Sequence, residues 1–219
     1  MAALRLAHRG DWRRGRENSL AAFEAALEIP ACDGVELDVR VSRDGVAVCY
    51  HDETLERLHG IPARVGELTA DELAARGIPT LEAALAAIPR RAFLDVELKG
   101  DPGRAAFDVL VAGRGPRLER AVVSSFEAET LRRVGGWAPT WPRWLNVDDA
   151  RPETVALAVA LDCRGISVEW HALDPAAMRR AGDAGLDVAA WTVRRRPTFR
   201  RLERLGAAAI CVEGAALDS

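Results

Sequence analysis

The chain has 219 residues, of which 49% are hydrophobic and 29% are charged, and its net charge is −3. This composition is typical of a globular protein, and the absence of a basic excess argues against general nucleic-acid binding. Its apolar runs are far shorter than the roughly 20 residues of a membrane helix, and no signal-peptide pattern precedes them, so we expect a cytoplasmic protein without a stable membrane anchor.

Short apolar segments alternate with segments of helical character along the chain. The apolar segments predict strands at 4–8, 35–39, 46–51, 93–99, 121–126, 143–147, 165–169, 187–193 and 208–212. Helical spacing predicts a first helix through Leu20, Phe23 and Leu27, capped by Asn18 or Ser19. Further helices are predicted at 70–76, 80–88, 104–112, 127–134, 152–161, 174–184 and 197–205.

Strand–helix alternation is typical of a parallel sheet with helical crossovers. No Gly-, Ser- or Pro-rich linker divides the chain, so residues 1–219 are predicted to form one domain. About eight strand–helix units favour a (β/α)8 TIM barrel. A doubly wound open sheet is the alternative, although no GxGxxG motif follows the first strand.

One connection is too short for a parallel crossover. Only RVSRDG separates the segments 35–39 and 46–51, so these segments are predicted to form a hairpin or one bent strand. A turn between Arg43 and Asp44 pairs residues whose numbers sum to 87. That register places Glu36 opposite His51, and Asp38 opposite Cys49, with the charged groups on one face.

Charged residues alternate with apolar ones in the segment FLDVELKG, residues 93–100. Alternation in a strand places Asp95, Glu97 and Lys99 on the same face. Lys99 is the only lysine in the chain, which otherwise uses arginine. The triplet Glu36-Leu37-Asp38 has the same charged–apolar–charged form as Glu97-Leu98-Lys99, and Asp95 has no predicted partner.

A TIM barrel gathers the carboxyl ends of its strands at one mouth. Glu36, Asp38 and Glu97 would there offer the oxygen ligands that Mg²⁺ or Ca²⁺ prefers. Histidines 8 and 51 suit acid–base chemistry, and Arg9 with Lys99 suits a phosphate. This combination predicts metal-assisted hydrolysis of a phosphate ester. Taken singly, each histidine is more typical of a structural or exposed residue, and each charged pair is more typical of a solvated surface.

The residues that carry this pattern also resemble a known family. HRGDWRRGRENSLAAFEAAL (8–27) and DGVELDVRVSRDGVAVCYHDETLERL (33–58) resemble the opening of glycerophosphodiester phosphodiesterases. GIPTLEAALAAIP (77–89), LDVELK (94–99), SSFEAETL (124–131) and VAAWTV (188–193) are similar to later blocks of that family, in the same order.

The resemblance implies a TIM barrel with a short insertion, here about residues 52–78. It implies that His8 and His51 are the acid–base pair that cleaves glycerophosphodiesters to glycerol 3-phosphate and an alcohol. Our hypothesis has His8 as the base and His51 as the acid, and the sequence does not decide between this assignment and the reverse. It further implies one divalent ion on the three carboxylates. The implied substrate-binding residues are Arg9, Lys99, Trp191, Glu17 and Asn18.

Three positions depart from the family pattern. Arg16 stands where proline is usual, Arg194 where asparagine is common, and Val212-Glu213 where Thr-Asp is usual. None of them is a predicted metal ligand or catalytic histidine. They bear on the substrate end of the pocket, so the sequence does not identify the alcohol that is released.

Three other functions are compatible with parts of the pattern. A phospholipase D-like hydrolase of lysophospholipids would use the same residues, but no hydrophobic insertion loop is evident. A non-catalytic phosphate-binding barrel would be expected to lack a histidine or carboxylate. An HD-type phosphohydrolase could use His51-Asp52, although its ligands would be expected on helices.

The remaining aromatic, histidine and cysteine residues are expected to be structural. Trp137, Trp141 and Trp144 could hold a cationic head group, but packing is the favoured interpretation. His59 and His171 are predicted at the surface. The cysteines at 32, 49, 163 and 211 form no CxxC pair and are predicted to be reduced thiols.

Overall fold

A closed barrel of parallel strands forms the centre of the computed structural model, which describes residues 2–218 apart from the side chain of Ala105. The strands are β1 (Leu4–His8), β2 (Gly34–Val41), β3 (Ala47–Cys49), β4 (Phe93–Leu98), β5 (Ala121–Ser125), β6 (Arg143–Val147), β7 (Gly165–Glu169), β8 (Asp187–Val193) and β9 (Ala209–Val212). All except β3 are parallel to their neighbours, and β1 pairs with both β2 and β9, which closes the barrel. The predicted TIM barrel is confirmed, and the open doubly wound sheet is wrong.

Helices follow most strands and cover the outside of the barrel. They are α1 (Leu20–Leu27), α2 (Glu56–His59), α3 (Ala70–Ala74), α4 (Leu81–Ala87), α5 (Gly103–Arg114), α6 (Ala128–Trp137), α7 (Pro152–Ala160), α8 (Pro175–Asp183) and α9 (Arg196–Leu205). Ser19, rather than Asn18, caps α1, because its hydroxyl oxygen accepts a hydrogen bond of 3.2 Å from the Ala22 N–H.

The apolar core has two layers, because barrel strands alternate their side chains between the helices and the interior. Leu37, Val96 and Ile166 belong to the outer layer, where the strands meet the helices. The inner layer fills the lower barrel and consists of Leu6, Val122, Trp144, Ala189, Ala209 and Cys211. With its lower half filled by apolar groups, the barrel has room for a polar site only at its mouth.

The hairpin of β2 and β3 forms as predicted, but its predicted register is wrong. Val39 pairs with Cys49 and Val41 with Ala47, so paired residue numbers sum to 88 and not to 87. The cause is a three-residue loop closed by Ser42 and Val46, in which Gly45 has φ +81°. Glycine adopts this left-handed conformation without a steric penalty, which favours the three-residue loop over a two-residue turn.

The predicted insertion, residues 52–78, carries two of the short helices and packs beside β3. It has a small apolar cluster of its own, which comprises Val48, Tyr50, Leu55, Val65, Leu73 and Ile78. Thr69 caps α3 by accepting a hydrogen bond from the Glu72 N–H. This cluster fixes the insertion against the barrel close to His51.

Within residues 2–218, no helix combines the length and the hydropathy that crossing a membrane requires. All four cysteines are free thiols, and three of them are buried. Trp141 and Trp144 are also buried, and the indole N–H of Trp141 donates to the Pro116 carbonyl. The packing interpretation of these tryptophans therefore agrees with their surroundings.

Candidate active site

Strand register brings three carboxylates together at the mouth of the barrel. Asp38 on β2 lies directly opposite Glu97 on β4, and Glu36 lies opposite His8 on β1. Residues 36 and 38 share one face of β2 and point inward. As a result, ligand atoms of Glu36, Asp38 and Glu97 lie within 4.8 Å of one another.

The carboxylate cluster is buried and lacks some hydrogen-bond partners. Glu36, Asp38 and Glu97 are 3%, 0% and 8% exposed. Glu36 Oε1 and Asp38 Oδ1 accept no hydrogen bond from any residue in the range 2–218. Buried oxygens that accept no hydrogen bond are costly, and a cation ligated by them would reduce that cost.

The charges around the cluster affect its members differently. Burial and the neighbouring Asp38 and Glu97 carboxylates raise the pKa of Glu36 well above its usual range. Burial also opposes ionisation of Asp38, but the positive charges of Lys99 and Arg9 lower its pKa to about 2. The repulsion that raises the Glu36 pKa is the kind that a divalent cation neutralises.

His8 is oriented by a carboxylate that follows the last barrel strand. Its Nδ1 lies 2.6 Å from Glu213 Oε1. Burial opposes ionisation of Glu213, but hydrogen bonds from His8 and Arg194 lower its pKa to about 2. An ionised carboxylate can only accept, so Nδ1 carries the proton and Nε2 is directed at the cluster, 4.0 Å from Glu36 Oε2.

His51 has a similar partner in the next residue along the chain. Its Nδ1 lies 2.6 Å from Asp52 Oδ1. Burial opposes ionisation of Asp52, while hydrogen bonds from Arg57 and His51 lower its pKa. Burial in turn lowers the pKa of His51. Because β3 ends at Cys49, the strand register does not dictate the direction of His51, which lines the same cavity as His8.

Arg9 and Asn18 hold the cluster from the loop between β1 and α1. Both have left-handed backbones, with φ values of 60° and 57°, and the Asn18 N–H donates to the Arg9 carbonyl. The Arg9 N–H donates to Glu36 Oε2, and its Nε lies 3.1 Å from Asp38 Oδ2. Such strained conformations persist where surrounding contacts fix them, commonly at functional sites.

Two predicted substrate-binding residues lie behind the cavity and do not line it. The Asn18 Nδ2 donates to Asp38 Oδ2 over 2.8 Å, and its Oδ1 accepts from the Asp38 N–H. Glu17 Oε1 accepts from the Arg9 guanidinium over 2.9 Å. Glu17 and Asn18 therefore contact other residues of the site, and neither is among the residues that line the cavity.

Lys99 lies between the carboxylates and the cavity. Its ammonium contacts Glu97, and it lies 3.1 Å from Asp38 Oδ1 without the alignment of a hydrogen bond. The ammonium also stands 5.8 Å from the centroid of the Phe126 ring. Burial opposes its charge, but the two carboxylates raise the pKa of Lys99. It therefore supplies a fixed positive charge at the cavity.

The cavity itself is small and is lined by charged, polar and aromatic side chains. Its volume is ≈ 150 Å³, below the range of about 300–1,000 Å³ for drug-sized ligands. It is lined by His8, Arg9, Glu36, His51, Asp95, Glu97, Lys99, Phe126, Asn146, Ser167, Trp191, Thr192 and Cys211. Trp191 packs edge-on against Phe126 with ring centroids 5.4 Å apart, which gives one aromatic wall. The size suits a small polar group.

Asp95, which had no predicted partner, forms part of the cavity floor. Its Oδ1 accepts a 2.6 Å hydrogen bond from the Ser124 hydroxyl on β5. Burial, partly offset by that bond, raises the pKa of Asp95 to about 7. Across the barrel, the buried Asn146 Oδ1 borders the cavity and has no hydrogen-bond partner within residues 2–218.

Several residues of this site were not predicted as functional from the sequence. Glu213 was noted only as a departure from a pattern, and Asp52 only within an alternative metal site. Phe126, Asn146 and Ser167 were not singled out. Their positions at the ends of predicted strands, at the barrel mouth, are the signal that could have found them. By contrast, His59 and His171 lie outside the cavity, as predicted.

Comparisons with known proteins show the family to which this chain belongs. The sequence model of the glycerophosphoryl diester phosphodiesterase family matches residues 8–215. A glycerophosphodiester phosphodiesterase of Caldanaerobacter subterraneus is 29% identical over 94% of this chain and 92% of its own length.

Two solved structures have the same fold over almost the whole chain. One is an Oleispira antarctica phosphodiesterase in complex with the product sn-glycerol-3-phosphate, with a TM-score of 0.85, 25% identity and coverage of 96% of this chain and 93% of that one. The other is a glycerophosphodiester phosphodiesterase of Thermotoga maritima, with a TM-score of 0.82, 25% identity and coverage of 100% and 96%. This chain therefore belongs to the glycerophosphoryl diester phosphodiesterase family, and it is an enzyme of the phosphoric diester hydrolase class.

Proposed function

We propose that this enzyme hydrolyses glycerophosphodiesters to glycerol 3-phosphate and an alcohol, with the help of one divalent cation. The observation that carries the proposal is the convergence of two carboxylate-oriented histidines on one buried carboxylate cluster. His8 and His51 line the same small cavity as Glu36 and Glu97. The product named for the Oleispira antarctica relative is of the same chemical class.

The three carboxylates fit a hard cation. They offer only oxygen ligands, they are buried, and two of their oxygens accept no hydrogen bond within the described residues. Glu36, Asp38 and Glu97 would hold Mg²⁺ or Ca²⁺, both of which prefer oxygen ligands. When bound, such a cation neutralises the charge that develops on the phosphoryl oxygens.

The positive side chains and the aromatic wall would position the substrate. Arg9 and Lys99 border the cavity and would each pair with a phosphoryl oxygen. Trp191 is fixed by its indole N–H, which donates to the Ser167 carbonyl over 2.9 Å. Its ring would pack against the organic part of the substrate. The small cavity favours a compact glycerophosphoryl group, and a lysophospholipid would have to place its acyl chain outside it.

The two histidines would divide the proton transfers. One imidazole Nε2 takes the proton of the attacking hydroxyl, which belongs to water or to a neighbouring hydroxyl of the glycerol. The oxygen–phosphorus bond to the alcohol then breaks, and the other imidazole donates its proton to the leaving oxygen. Attack by the glycerol hydroxyl gives a cyclic phosphate, which water opens in a second step. The net reaction consumes one water. The partners Glu213 and Asp52 stabilise each imidazolium while it carries two protons.

The test is a panel of glycerophosphodiesters incubated with Mg²⁺, with Ca²⁺ or with EDTA, with release of glycerol 3-phosphate as the readout. We expect release with at least one cation and loss of release with EDTA. Lysophosphatidylcholine is included as the competing substrate class, and we expect slower turnover than with glycerophosphocholine. No glycerol 3-phosphate under any condition would overturn the proposal, and preference for the lysolipid would support a phospholipase D-like hydrolase.

A further inference from the structure

Arg57, on α2 of the insertion, makes three hydrogen bonds to two carboxylates. Its Nε donates to Asp52 Oδ2 over 2.6 Å. Its Nη1 and Nη2 donate to Glu17 Oε2 and Oε1 over 3.0 and 2.6 Å. The guanidinium thus binds Glu17 with both terminal nitrogens and Asp52 with the third, a geometry that its rigid fork supports and a lysine cannot reproduce.

Each of these carboxylates also holds a residue of the proposed active site. Asp52 Oδ1 lies 2.6 Å from His51 Nδ1. Arg57 binds the other oxygen of the same carboxylate, Oδ2. Glu17 Oε1 accepts a hydrogen bond of 2.9 Å from Arg9 Nη1. Arg57 is therefore linked to His51 through Asp52, and to Arg9 through Glu17.

The charges in this network depend on Arg57. Burial raises the pKa of Glu17, but the hydrogen bond from Arg57 and the charge of Arg9 bring it below its usual range. Without Arg57, Glu17 would keep only its contact with Arg9, and Asp52 would lose its only arginine contact among the described residues and keep only His51. Each carboxylate would then be fixed through one oxygen only, and its orientation would be less defined.

The insertion fixes Arg57 in space, although α2 has only four residues. Leu55, at the start of this helix, is fully buried in the apolar cluster of the insertion. Its backbone N–H donates to the Ala63 carbonyl, and the His59 N–H donates to the Leu55 carbonyl. These contacts attach Arg57 to the apolar cluster that packs the insertion against β3.

We propose that Arg57 is a positioning residue that aligns His51 and Arg9 together, and that the insertion contributes to turnover by holding Arg57. This inference rests on the proposed function, because it acts through residues assigned there. It predicts two separable effects. The branch through Asp52 sets kcat, since it orients the imidazole, and the branch through Glu17 sets KM, since it orients the arginine that faces the phosphate.

The test compares Arg57→Leu with Arg64→Leu as a matched control. Arg64 belongs to the same insertion and forms an ion pair of 2.6 Å with Glu53, but that pair is exposed and reaches no site residue. We expect Arg57→Leu to lower kcat about 10²-fold, the order of loss caused by a misplacement of about 1 Å, and to raise KM. Arg64→Leu should leave both parameters unchanged.

Single-branch variants separate the two effects. Asp52→Asn should reproduce most of the loss in kcat with little change in KM, and Glu17→Gln should raise KM with a smaller change in kcat. Arg57→Lys keeps the charge but cannot bind both carboxylates, so it should recover only part of the activity. Nitrogen-15 NMR of the His51 imidazole gives a readout without turnover, and the Nδ1–H tautomer should be less populated in Arg57→Leu.

The possible outcomes are distinct. If the unsubstituted enzyme releases no glycerol 3-phosphate, the proposed function fails. A second outcome is that the unsubstituted enzyme is active and Arg57→Leu is less thermally stable, while its kcat, KM and His51 tautomer match those of Arg64→Leu. In that case Arg57 only stabilises the fold, and the inference is wrong. If Arg57→Leu fails to fold, the NMR and kinetic comparison passes to Arg57→Lys, whose full activity would equally overturn the inference.

Discussion

Glu213 and His8 are 205 positions apart in the chain, and their side chains meet with Oε1 of the glutamate 2.6 Å from Nδ1 of the histidine. The meeting follows from barrel closure, because β1 pairs with β9 and Glu213 follows β9 directly. The second oxygen, Oε2, accepts a hydrogen bond of 2.7 Å from Arg194 Nε. The last strand of the barrel thus fixes the tautomer of a histidine on the first.

Replacing Glu213 should impair turnover through His8. In Glu213→Ala the imidazole loses the acceptor that fixes its Nδ1–H tautomer, and we expect kcat to fall about 10–100-fold, the loss typical of removing such an orienting partner. Steady-state kinetics checks this. Arg194→Gln removes only the outer contact and should have a smaller effect. A normal kcat in Glu213→Ala would show that His8 needs no orientation.

Removing either active-site histidine should lower kcat far more than removing Glu213. His8→Ala and His51→Ala should each lower kcat by about 10²–10⁴-fold, because each loses one proton transfer. Thermal unfolding should change little, since both side chains are only partly buried. His171→Ala is the control, because His171 pairs with Glu169 at the surface, away from the cavity. Near-normal turnover in either of the first two variants would contradict its assignment.

Lys99→Arg should reduce activity although it keeps the positive charge. The ammonium occupies a narrow space between Asp38, Glu97 and the Phe126 ring. A planar guanidinium is broader and would displace one of these groups. We expect a lower kcat/KM for Lys99→Arg, measured beside Lys99→Met, which removes the charge as well. A fully active arginine variant would show that charge alone is required at this position.

The stability of the protein should depend on Glu213 in acid. The native contacts lower the pKa of this carboxyl from 4.5 to about 2, so it binds protons more weakly in the folded chain than in the unfolded one. Its stabilising effect is complete above about pH 4.5 and is lost as the pH falls toward 2.

Denaturant unfolding of the original protein and Glu213→Gln measures this dependence. The difference in their unfolding free energies should shrink from about pH 5 to about pH 3, since only the original side chain titrates. Glu129→Gln, which removes an exposed carboxylate on α6, is the control and should show a smaller pH-dependent difference. A difference between the original protein and Glu213→Gln that stays constant over this range would contradict the assigned shift.

Cation binding should depend on the buried carboxylates. Glu97→Gln replaces one anionic ligand by a neutral one, and we expect weaker binding of Mg²⁺ or Ca²⁺ in isothermal titration calorimetry without added substrate. Glu169→Gln, a half-buried carboxylate outside the cavity, should bind the cation as the original protein does. Equal affinity in the two variants would place the cation elsewhere.

The barrel could be predicted because strand and helix periods alternate regularly, and all nine predicted strands are present in the structure with small differences at their ends. The carboxylate cluster could be predicted because residues 36 and 38, like 97 and 99, share a strand face. The register of the β2–β3 hairpin could not be predicted, because the length of its loop depends on whether Gly45 adopts a left-handed backbone. Alternation fixes the face of each residue, but not the partner across a turn.

The residues that orient the histidines and Asp95 could not be predicted from the sequence, for a different reason. Glu213 reaches His8, and Ser124 reaches Asp95, only after the barrel has closed and the strands have found their register. Arg57 belongs to a segment without strand periodicity, so no pattern indicated that its guanidinium contacts two carboxylates. Such contacts depend on side-chain direction in three dimensions and leave no spacing in the chain.

The central claim is that the enzyme breaks the bond between phosphorus and the alcohol of a glycerophosphodiester. Phosphorus-31 NMR of glycerophosphocholine hydrolysis in oxygen-18 water, with Mg²⁺ or Ca²⁺ present, tests it most directly. We predict that glycerol 3-phosphate carries the heavy oxygen on phosphorus and that unlabelled choline is released. Phosphocholine and glycerol as products, or no reaction with any glycerophosphodiester and either cation, would contradict the claim.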